Sequence, residues 1–263
     1  MVTCVMITGK SPERRALAAM SAQCFLEQTY EDKRLVVLTT DPWLPPWYGD
    51  KLVRHVLLRQ PDAPLGVLRN MGLDLCKPGY VMQWDDDDWS HPERIQWQME
   101  RTPPGQASVL QWEIRFSLAR NAALVLRSQE RGIPGTILHP WPGPVREPDK
   151  RGRDGWHTLP DMYVDTARRH EDSWFREAHF PDAAVIDNHP QEFPGPALHV
   201  RLYHGGNTWS ERQIMKDAAG EQNRNRWRQV TGPHEDYLRG VVARYRKAGL
   251  VLGHEEQRKC VSD

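Results

Sequence analysis

Residues Tyr80-Val81-Met82-Gln83-Trp84 run straight into four consecutive aspartates, Asp85 to Asp88. Four adjacent carboxylates repel one another unless a hard cation, a helix N-terminus or bulk water offsets their charge. The apolar run before them reads as a buried strand. After them, Ser90 and Glu93 have the spacing of a capping box, Pro92 suits a first turn, and Ile95, Trp97 and Met99 continue a helix. The aspartates are therefore expected at the carboxyl end of a strand and just before a helix, where open α/β sheets bind ligands. A plainer account is that acidic residues complement a helix dipole. One or two would serve for that, whereas a run of four locked to the end of an apolar strand favours a metal and a diphosphate. Asp88, the last of the run, is the one expected at the N-terminus of the following helix.

Three further clusters carry residue types suited to such a site. Leu65-Gly66-Val67-Leu68-Arg69-Asn70 puts an Arg-Asn pair at a helix start, where amides and a guanidinium can face phosphate oxygens. An arginine in a first turn is also commonly just a surface residue. Arg168-Arg169-His170-Glu171-Asp172-Ser173-Trp174-Phe175 sets an acidic pair beside aromatic rings. His204-Gly205-Gly206-Asn207-Thr208-Trp209 follows an apolar stretch. A histidine at a strand end is ordinarily a surface residue, but one followed by two glycines is free to complete a metal site.

The elements that must position these clusters alternate β-α-β in the N-terminal half. Residues 2–7 read as a buried strand, and Ser11 and Pro12 open a helix whose Leu17, Met20 and Cys24 share a face. Strands are expected at 35–39 and 52–58, then a helix from about Gly66 with Leu68, Met71 and Leu75 inward, stopped by Pro78 and Gly79. That order implies a mostly parallel sheet with right-handed crossovers. Beyond residue 105 the pattern loosens. Strands are expected at 107–112, 122–126, 183–186 and 198–203, with helices around 164–178 and 235–247. The stretch 140–160, rich in Pro, Gly and charge, reads as a lid or a linker.

Acidic and basic residues balance at 35 each, so no global field recruits nucleic acid or membrane, although Arg224, Arg226 and Arg228 form a local basic patch. Cys4, Cys24, Cys76 and Cys260 include no CxxC pair, which argues against a zinc knuckle and fits reduced thiols, three of them in the core. No apolar run is long enough to cross a bilayer, and the N-terminus reads as a first strand rather than a signal peptide, so a cytoplasmic protein is expected. The tryptophans scattered through polar loops are candidates for the walls of a site.

Taken in order, these residues resemble a family 2 glycosyltransferase of the GT-A fold. The resemblance spans roughly residues 2–210 and is carried by the opening strand and helix and by Gly66 with Arg69-Asn70-x-Gly72. It continues through Gly79-Tyr80-Val81-x-x-Trp84-Asp85-Asp86-Asp87-Asp88-Trp89 to Arg94, the Glu171-Asp172 pair and His204-Gly205-Gly206-Asn207-Thr208-Trp209. It implies a single Rossmann-like, mostly parallel sheet flanked by helices, with a small acceptor-side subregion. Residues 1–105 would form the nucleotide-sugar-binding half, 106–210 the acceptor and catalytic half, and 211–263 a partly helical extension.

Carried over residue by residue, the resemblance implies that Asp85-x-Asp87 is the D-x-D element. Asp87 would ligate Mg²⁺ or Mn²⁺, Asp85 would lie near the ribose or the metal's water shell, and His204 would be the third protein group at the metal. Thr8, Gly9, Arg69 and Asp86 would lie along the donor. Asp172 would be the catalytic base, with Glu171 and Trp174 shaping the acceptor pocket. The acidic pair that usually follows the second strand and reads uracil is replaced by Thr39-Thr40-Asp41, so Asp41 would substitute from a shifted position. The implied reaction moves a sugar, with inversion, from a nucleotide-diphosphate donor, UDP-linked by preference, to a hydroxyl acceptor of unspecified class, nucleic acid included. A divalent ion suits departure of a diphosphate, and one carboxylate suits deprotonation of the acceptor. A sugar-phosphate nucleotidyltransferase would want the same metal ligands, and Thr8-Gly9-Lys10-Ser11-Pro12-Glu13-Arg14-Arg15 is a faint echo of its glycine-rich basic loop. A non-catalytic nucleotide- or glycan-binding module on the same fold is the third alternative.

Overall fold

The structure, a computed structural model, describes residues 1–9, 11–43, 45–59, 63–117, 122–128, 131–143, 146–148, 154–156, 163, 171–189, 198–204, 227–229 and 233–247. In chain order the elements are β1 (Val2–Thr8), α1 (Pro12–Leu26), β2 (Lys33–Thr39), β3 (Val53–Leu57), α2 (Leu65–Asp74), β4 (Gly79–Gln83), β5 (Trp89–Ser90) and α3 (Arg94–Arg101). Then come β6 (Ser108–Leu110), β7 (Trp112–Ser117), β8 (Ala122–Arg127), β9 (Ile133–Trp141), β10 (Arg146–Pro148), β11 (Asp154–Trp156) and α4 (Glu171–His179). β12 (Ala184–Ile186), β13 (His199–Tyr203), β14 (Trp227–Gln229) and α5 (Pro233–Lys247) complete the described chain.

The main sheet has seven strands in the order β12-β6-β9-β4-β1-β2-β3. β1 pairs in parallel with β2 and β4, β2 with β3, and β6 with β12, while β9 runs antiparallel to both β4 and β6. This is the mostly parallel central sheet flanked by helices that the resemblance implies, although two smaller sheets accompany it. Its two faces are packed by period-two alternation: Val2, Cys4 and Met6 join the cluster under α1, whereas Val5 joins Val36, Leu38 and Leu73 beneath α2. α1 starts because Pro12 presets its first turn and Ser11 Oγ accepts the Arg14 amide at 3.2 Å. α2 lies so close to β1 that a Cβ on Gly72 would meet Val5 Cγ1 at 2.5 Å, which is the packing reason for glycine there. Gly79, at φ +148°, brings the start of β4 equally close to the carbonyl of Met1.

A second sheet of five strands, β14-β8-β7-β13-β5, lies beyond the first. The chain changes sheets at Gln111, so the single strand expected at 107–112 is two. Asn188 makes the switch: its Oδ1 accepts the amides of Gln111 at 3.1 Å and Trp112 at 2.9 Å, and its Nδ2 donates to the Trp112 carbonyl at 3.0 Å. β9 was not expected from sequence, because Pro134 and Pro140 interrupt its run of strand formers. It nevertheless lies inside the main sheet, between β6 and β4.

The capping box is also absent. Ser90 is drawn into β5 against His199, and its Oγ accepts from Arg94 Nη1 at 2.8 Å rather than from a backbone amide. Of the first α3 amides, Arg94 N donates to the His91 carbonyl at 2.9 Å and Ile95 N to Gln28 Oε1 at 3.0 Å, while Gln28 Nε2 also holds the His91 carbonyl at 2.7 Å. In the 140–160 stretch β10 and β11 pair as a hairpin. Residues 144–145, 149–153, 157–162 and 164–170, Cys260 and most of the 211–263 extension lie outside the described residues. Cys4, Cys24 and Cys76 are buried free thiols whose ionisation burial pushes up. Trp47, Trp84, Trp89 and Trp141 are core rather than site walls. Among the described residues no helix is long and apolar enough to cross a membrane.

Candidate functional site

Trp84 anchors the end of β4. Its indole donates to the Ser21 carbonyl at 3.1 Å, stacks edge-on against Phe25 and lies under the Arg94 guanidinium. Ser21 Oγ then donates to the Asp85 carbonyl at 2.7 Å, so α1 holds the first aspartate by its backbone and leaves the carboxylates to turn along the sheet edge.

Each carboxylate meets its own set of partners, with Arg14 shared by Asp86 and Asp87 and Arg201 by Asp85 and Asp88. Asp85 takes Arg69 Nη2 at 3.3 Å, Gln83 Nε2 at 3.1 Å and, more loosely, Arg201 Nη2 at 3.7 Å. Asp86 is buried and accepts from Arg14 Nη1 at 2.6 Å. Burial and the neighbouring charge of Asp87 push its pKa up to about 7, against the opposing pull of Arg14 and the Thr8 hydroxyl. Asp87 Oδ2 lies 2.9 Å from the same Arg14 nitrogen and 3.2 Å from His204 Nε2. Burial resists its charge, but the His204 hydrogen bond and the charges of Arg14, His204 and Arg201 outweigh that and hold Asp87 below the usual range.

Asp88 differs from expectation. It does not cap α3 but turns into the gap between the sheets, where Leu202 N donates to Oδ1 at 3.3 Å and His199 Nε2 lies 3.3 Å from Oδ2. Burial raises its pKa and the two neighbours, His199 and Arg201, work against that. Glu113 sits fully buried below, paired with Arg115 at 2.5 Å. Burial opposes its charge, and Arg115, Arg201 and His199 keep it ionised below the usual glutamate range.

Strand register brings His204 to Asp87 although the two are 117 residues apart. β13 pairs antiparallel with β5, with Val200 opposite Trp89 and His199 opposite Ser90. As β13 runs forward, the chain before β5 runs back through the aspartates, so Leu202 reaches Asp88 and His204 reaches Asp87. The glycines and Trp209 that follow lie outside the described residues.

Thr8 is buried at the end of β1, with Gly9 next along the chain. Asp41 lies beyond β2, its two oxygens gripped by Arg15 Nε at 2.6 Å and Nη2 at 2.9 Å, and its amide donating to Thr39 Oγ1 at 3.0 Å. Arg69 is nearly buried, its guanidinium 5.6 Å from the Tyr163 ring centre. The Asn70 side chain faces Tyr163. Its Oδ1 accepts the Tyr163 amide at 2.9 Å and its Nδ2 donates to the Tyr163 carbonyl at 3.1 Å.

Glu171 and Asp172 fall in the first turn of α4, with Trp174 following; the side chains of all three lie outside the described residues. α4 is anchored through Phe175, which stacks on Tyr163 with ring centres 4.1 Å apart and meets His139 at 5.2 Å. Tyr163 thus touches both the helix bearing Arg69 and the helix bearing the acidic pair. Reading the sequence missed Tyr163, His199, Glu113 and Arg201 altogether and gave Arg14 no place in the site. Arg201, a charge inside the apolar run of β13, was the one signal available.

Among the described residues, no group of three or more His, Cys, Asp or Glu side chains converges into a complete metal cage. Asp87 and His204 nonetheless present a carboxylate and an imidazole side by side, a donor pair that suits Mg²⁺ or Mn²⁺ when phosphate and water fill the remaining positions.

No family model matches the sequence, and no curated protein matches it. Solved structures do. The chain is similar to S. aureus TarS 1-349 in complex with UDP-GlcNAc at 12% identity and TM-score 0.51, over 98% of this chain and 78% of that one. The UDP complex of the same protein gives 12% identity and TM-score 0.50, over 99% and 78%. A further S. aureus TarS 1-349 structure gives 10% identity and TM-score 0.50, over 77% of this chain and 60% of that one. What the chain shares with S. aureus TarS is the fold: a mostly parallel seven-stranded sheet flanked by helices.

Proposed function

We propose that this chain is a family 2 type glycosyltransferase that moves a sugar from a UDP-linked donor to a hydroxyl acceptor, with inversion, using Mg²⁺ or Mn²⁺. One observation carries the reading. Asp87 and His204 meet at 3.2 Å at the carboxyl edge of the sheet, beside the guanidinium groups of Arg14, Arg69 and Arg201. Carboxylate and imidazole suit a divalent ion, and the surrounding arginines suit the oxygens of a diphosphate. A structure of the same fold contains UDP-GlcNAc, which favours uridine among the possible donor bases.

In this reading Arg69 orients the diphosphate while Asp87 and His204 would hold the metal. When bound, the ion stabilises the charge that develops on the leaving diphosphate as the anomeric C–O bond breaks. Asp172 takes the proton of the acceptor hydroxyl as its oxygen attacks the anomeric carbon from the opposite face, and Glu171 with Trp174 shapes the acceptor pocket. The new glycosidic bond forms as nucleoside diphosphate departs. Asp41, held by Arg15, sits at the end of β2, where a base-reading carboxylate belongs.

The test is a panel of nucleotide sugars, with Mn²⁺ or with EDTA, scored by thermal stabilisation and by release of nucleoside diphosphate. Metal-dependent stabilisation by a UDP-sugar with slow UDP release is expected. Pyrophosphate release from a sugar phosphate and a nucleoside triphosphate, or no response to any nucleotide, would sink the proposal.

A further inference from the structure

Arg14 is the third residue of α1, with its backbone fixed by the Ser11 cap. From there its side chain crosses to the aspartate turn and bridges two carboxylates with one nitrogen, 2.6 Å from Asp86 Oδ1 and 2.9 Å from Asp87 Oδ2. Asp87 Oδ2 is also the atom that His204 Nε2 approaches at 3.2 Å. The oxygen best placed to ligate a metal is therefore already capped by a cation. Among the described residues, Arg69 and Arg201 pair instead with Asp85, at 3.3 and 3.7 Å.

A divalent ion binds carboxylate oxygen at about 2.0–2.2 Å and repels a guanidinium within hydrogen-bond reach of the same oxygen. The two cations exclude each other at Asp87. The Arg14 side chain is a quarter exposed, at 25%, whereas Asp86 shows 7%, so the arginine has a solvent side toward which it can swing. An arriving diphosphate offers it a new anionic partner, since a guanidinium binds phosphate oxygens at least as well as carboxylate.

Building on the nucleotide-sugar reading, we infer that Arg14 is the resident cation of the metal site, displaced from Asp87 when the divalent ion enters and handed to the donor diphosphate. It neutralises the buried carboxylates of the empty protein, weakens metal binding in the absence of nucleotide, and makes metal and nucleotide bind cooperatively. By reciprocity, the factor by which UDP strengthens Mn²⁺ binding equals the factor by which Mn²⁺ strengthens UDP binding.

The test uses the full chain. Free Mn²⁺ is followed by electron paramagnetic resonance and UDP binding by calorimetry, for wild type, Arg14→Gln and Arg14→Lys. Arg14→Gln is expected to bind Mn²⁺ alone about 10-fold more tightly than wild type, within the usual span of coupling factors, and to lose a similar share of the UDP–Mn²⁺ cooperativity. Arg14→Lys, which keeps the charge as a compact, more strongly hydrated ammonium on a different stem, should fall between. If Arg14→Gln fails to fold, Arg14→Lys decides alone: tighter Mn²⁺ binding supports the inference, and equal or weaker binding overturns it. Wild-type UDP binding that Mn²⁺ strengthens, together with unchanged Mn²⁺ affinity in the variants, overturns the role of Arg14 and leaves the donor reading standing. UDP binding indifferent to Mn²⁺ in every protein overturns both the Arg14 inference and the metal requirement.

Discussion

Replacing Asn70 tests whether the helix bearing Arg69 and the helix bearing the acidic pair are held in register through Tyr163. Asn70 is buried and exchanges two hydrogen bonds with the Tyr163 backbone, at 2.9 and 3.1 Å. Each such bond contributes about 0.5–1.5 kcal/mol net, and a buried amide or carbonyl left unpaired costs about 1–3 kcal/mol. Water entering the gap recovers part of that, so Asn70→Ala should destabilise the protein by roughly 2–4 kcal/mol. If unfolding is global, the midpoint should fall by roughly 5–12 °C for a chain of this size. Asn70→Asp is the sharper probe. The carboxylate still accepts from Tyr163 N but faces the Tyr163 carbonyl without a proton to donate. Its cost should approach that of alanine near neutral pH and shrink under mild acid, where the protonated carboxyl can donate again. Hydrogen exchange reads this at the Tyr163 amide and along α4, where Phe175 stacks on Tyr163. Unchanged Tyr163 protection in Asn70→Ala, with α4 exchange also unchanged, would refute the coupling.

Three other outcomes follow from the same geometry. Asp87→Ala should abolish Mn²⁺-dependent UDP binding with modest change in stability, whereas Asp88→Ala, which empties a buried pocket against His199 and Leu202, should lower the unfolding midpoint more than it weakens UDP; the reverse pattern would refute this division of roles. Asp172→Asn should retain UDP binding and lose on the order of a hundredfold to ten-thousandfold of transfer or donor hydrolysis; normal turnover beside an inactive Glu171→Gln would move the base by one residue. Because burial raises Asp86 from 3.8 to about 7, its contribution to stability is complete below about pH 4 and is lost as pH rises through about 7. In EDTA, Asp86→Asn should therefore gain on wild type as pH rises from about 4 to about 7, and an equal difference at both pH values would contradict the reasoning.

The N-terminal half was legible in the sequence because its order rests on local physics. β1, α1, β2, α2 and β4 are written as buried runs, a Ser-Pro helix start and Pro-Gly stops, so the parallel sheet and the position of the aspartates at its carboxyl edge follow from residues close together in the chain. The candidate residues themselves were nameable for the same reason, since four aspartates after an apolar strand are unusual by type and spacing alone. What each carboxylate does was not legible. Asp85, Asp86, Asp87 and Asp88 are adjacent and chemically identical, and they differ only in what the fold brings to them: Arg69, Arg14, His204 and His199. Those partners are set by the antiparallel register of β13 on β5, by the cap that orients Arg14, and by a main sheet that closes through β9 despite its prolines. Long-range pairing carries no local signature, because a strand's partner is chosen by the whole packed sheet rather than by its own residues. Tertiary structure alone therefore decided which cationic side chain meets each aspartate, that Asp88 turns to His199 and Leu202, and that Asn70 holds Tyr163.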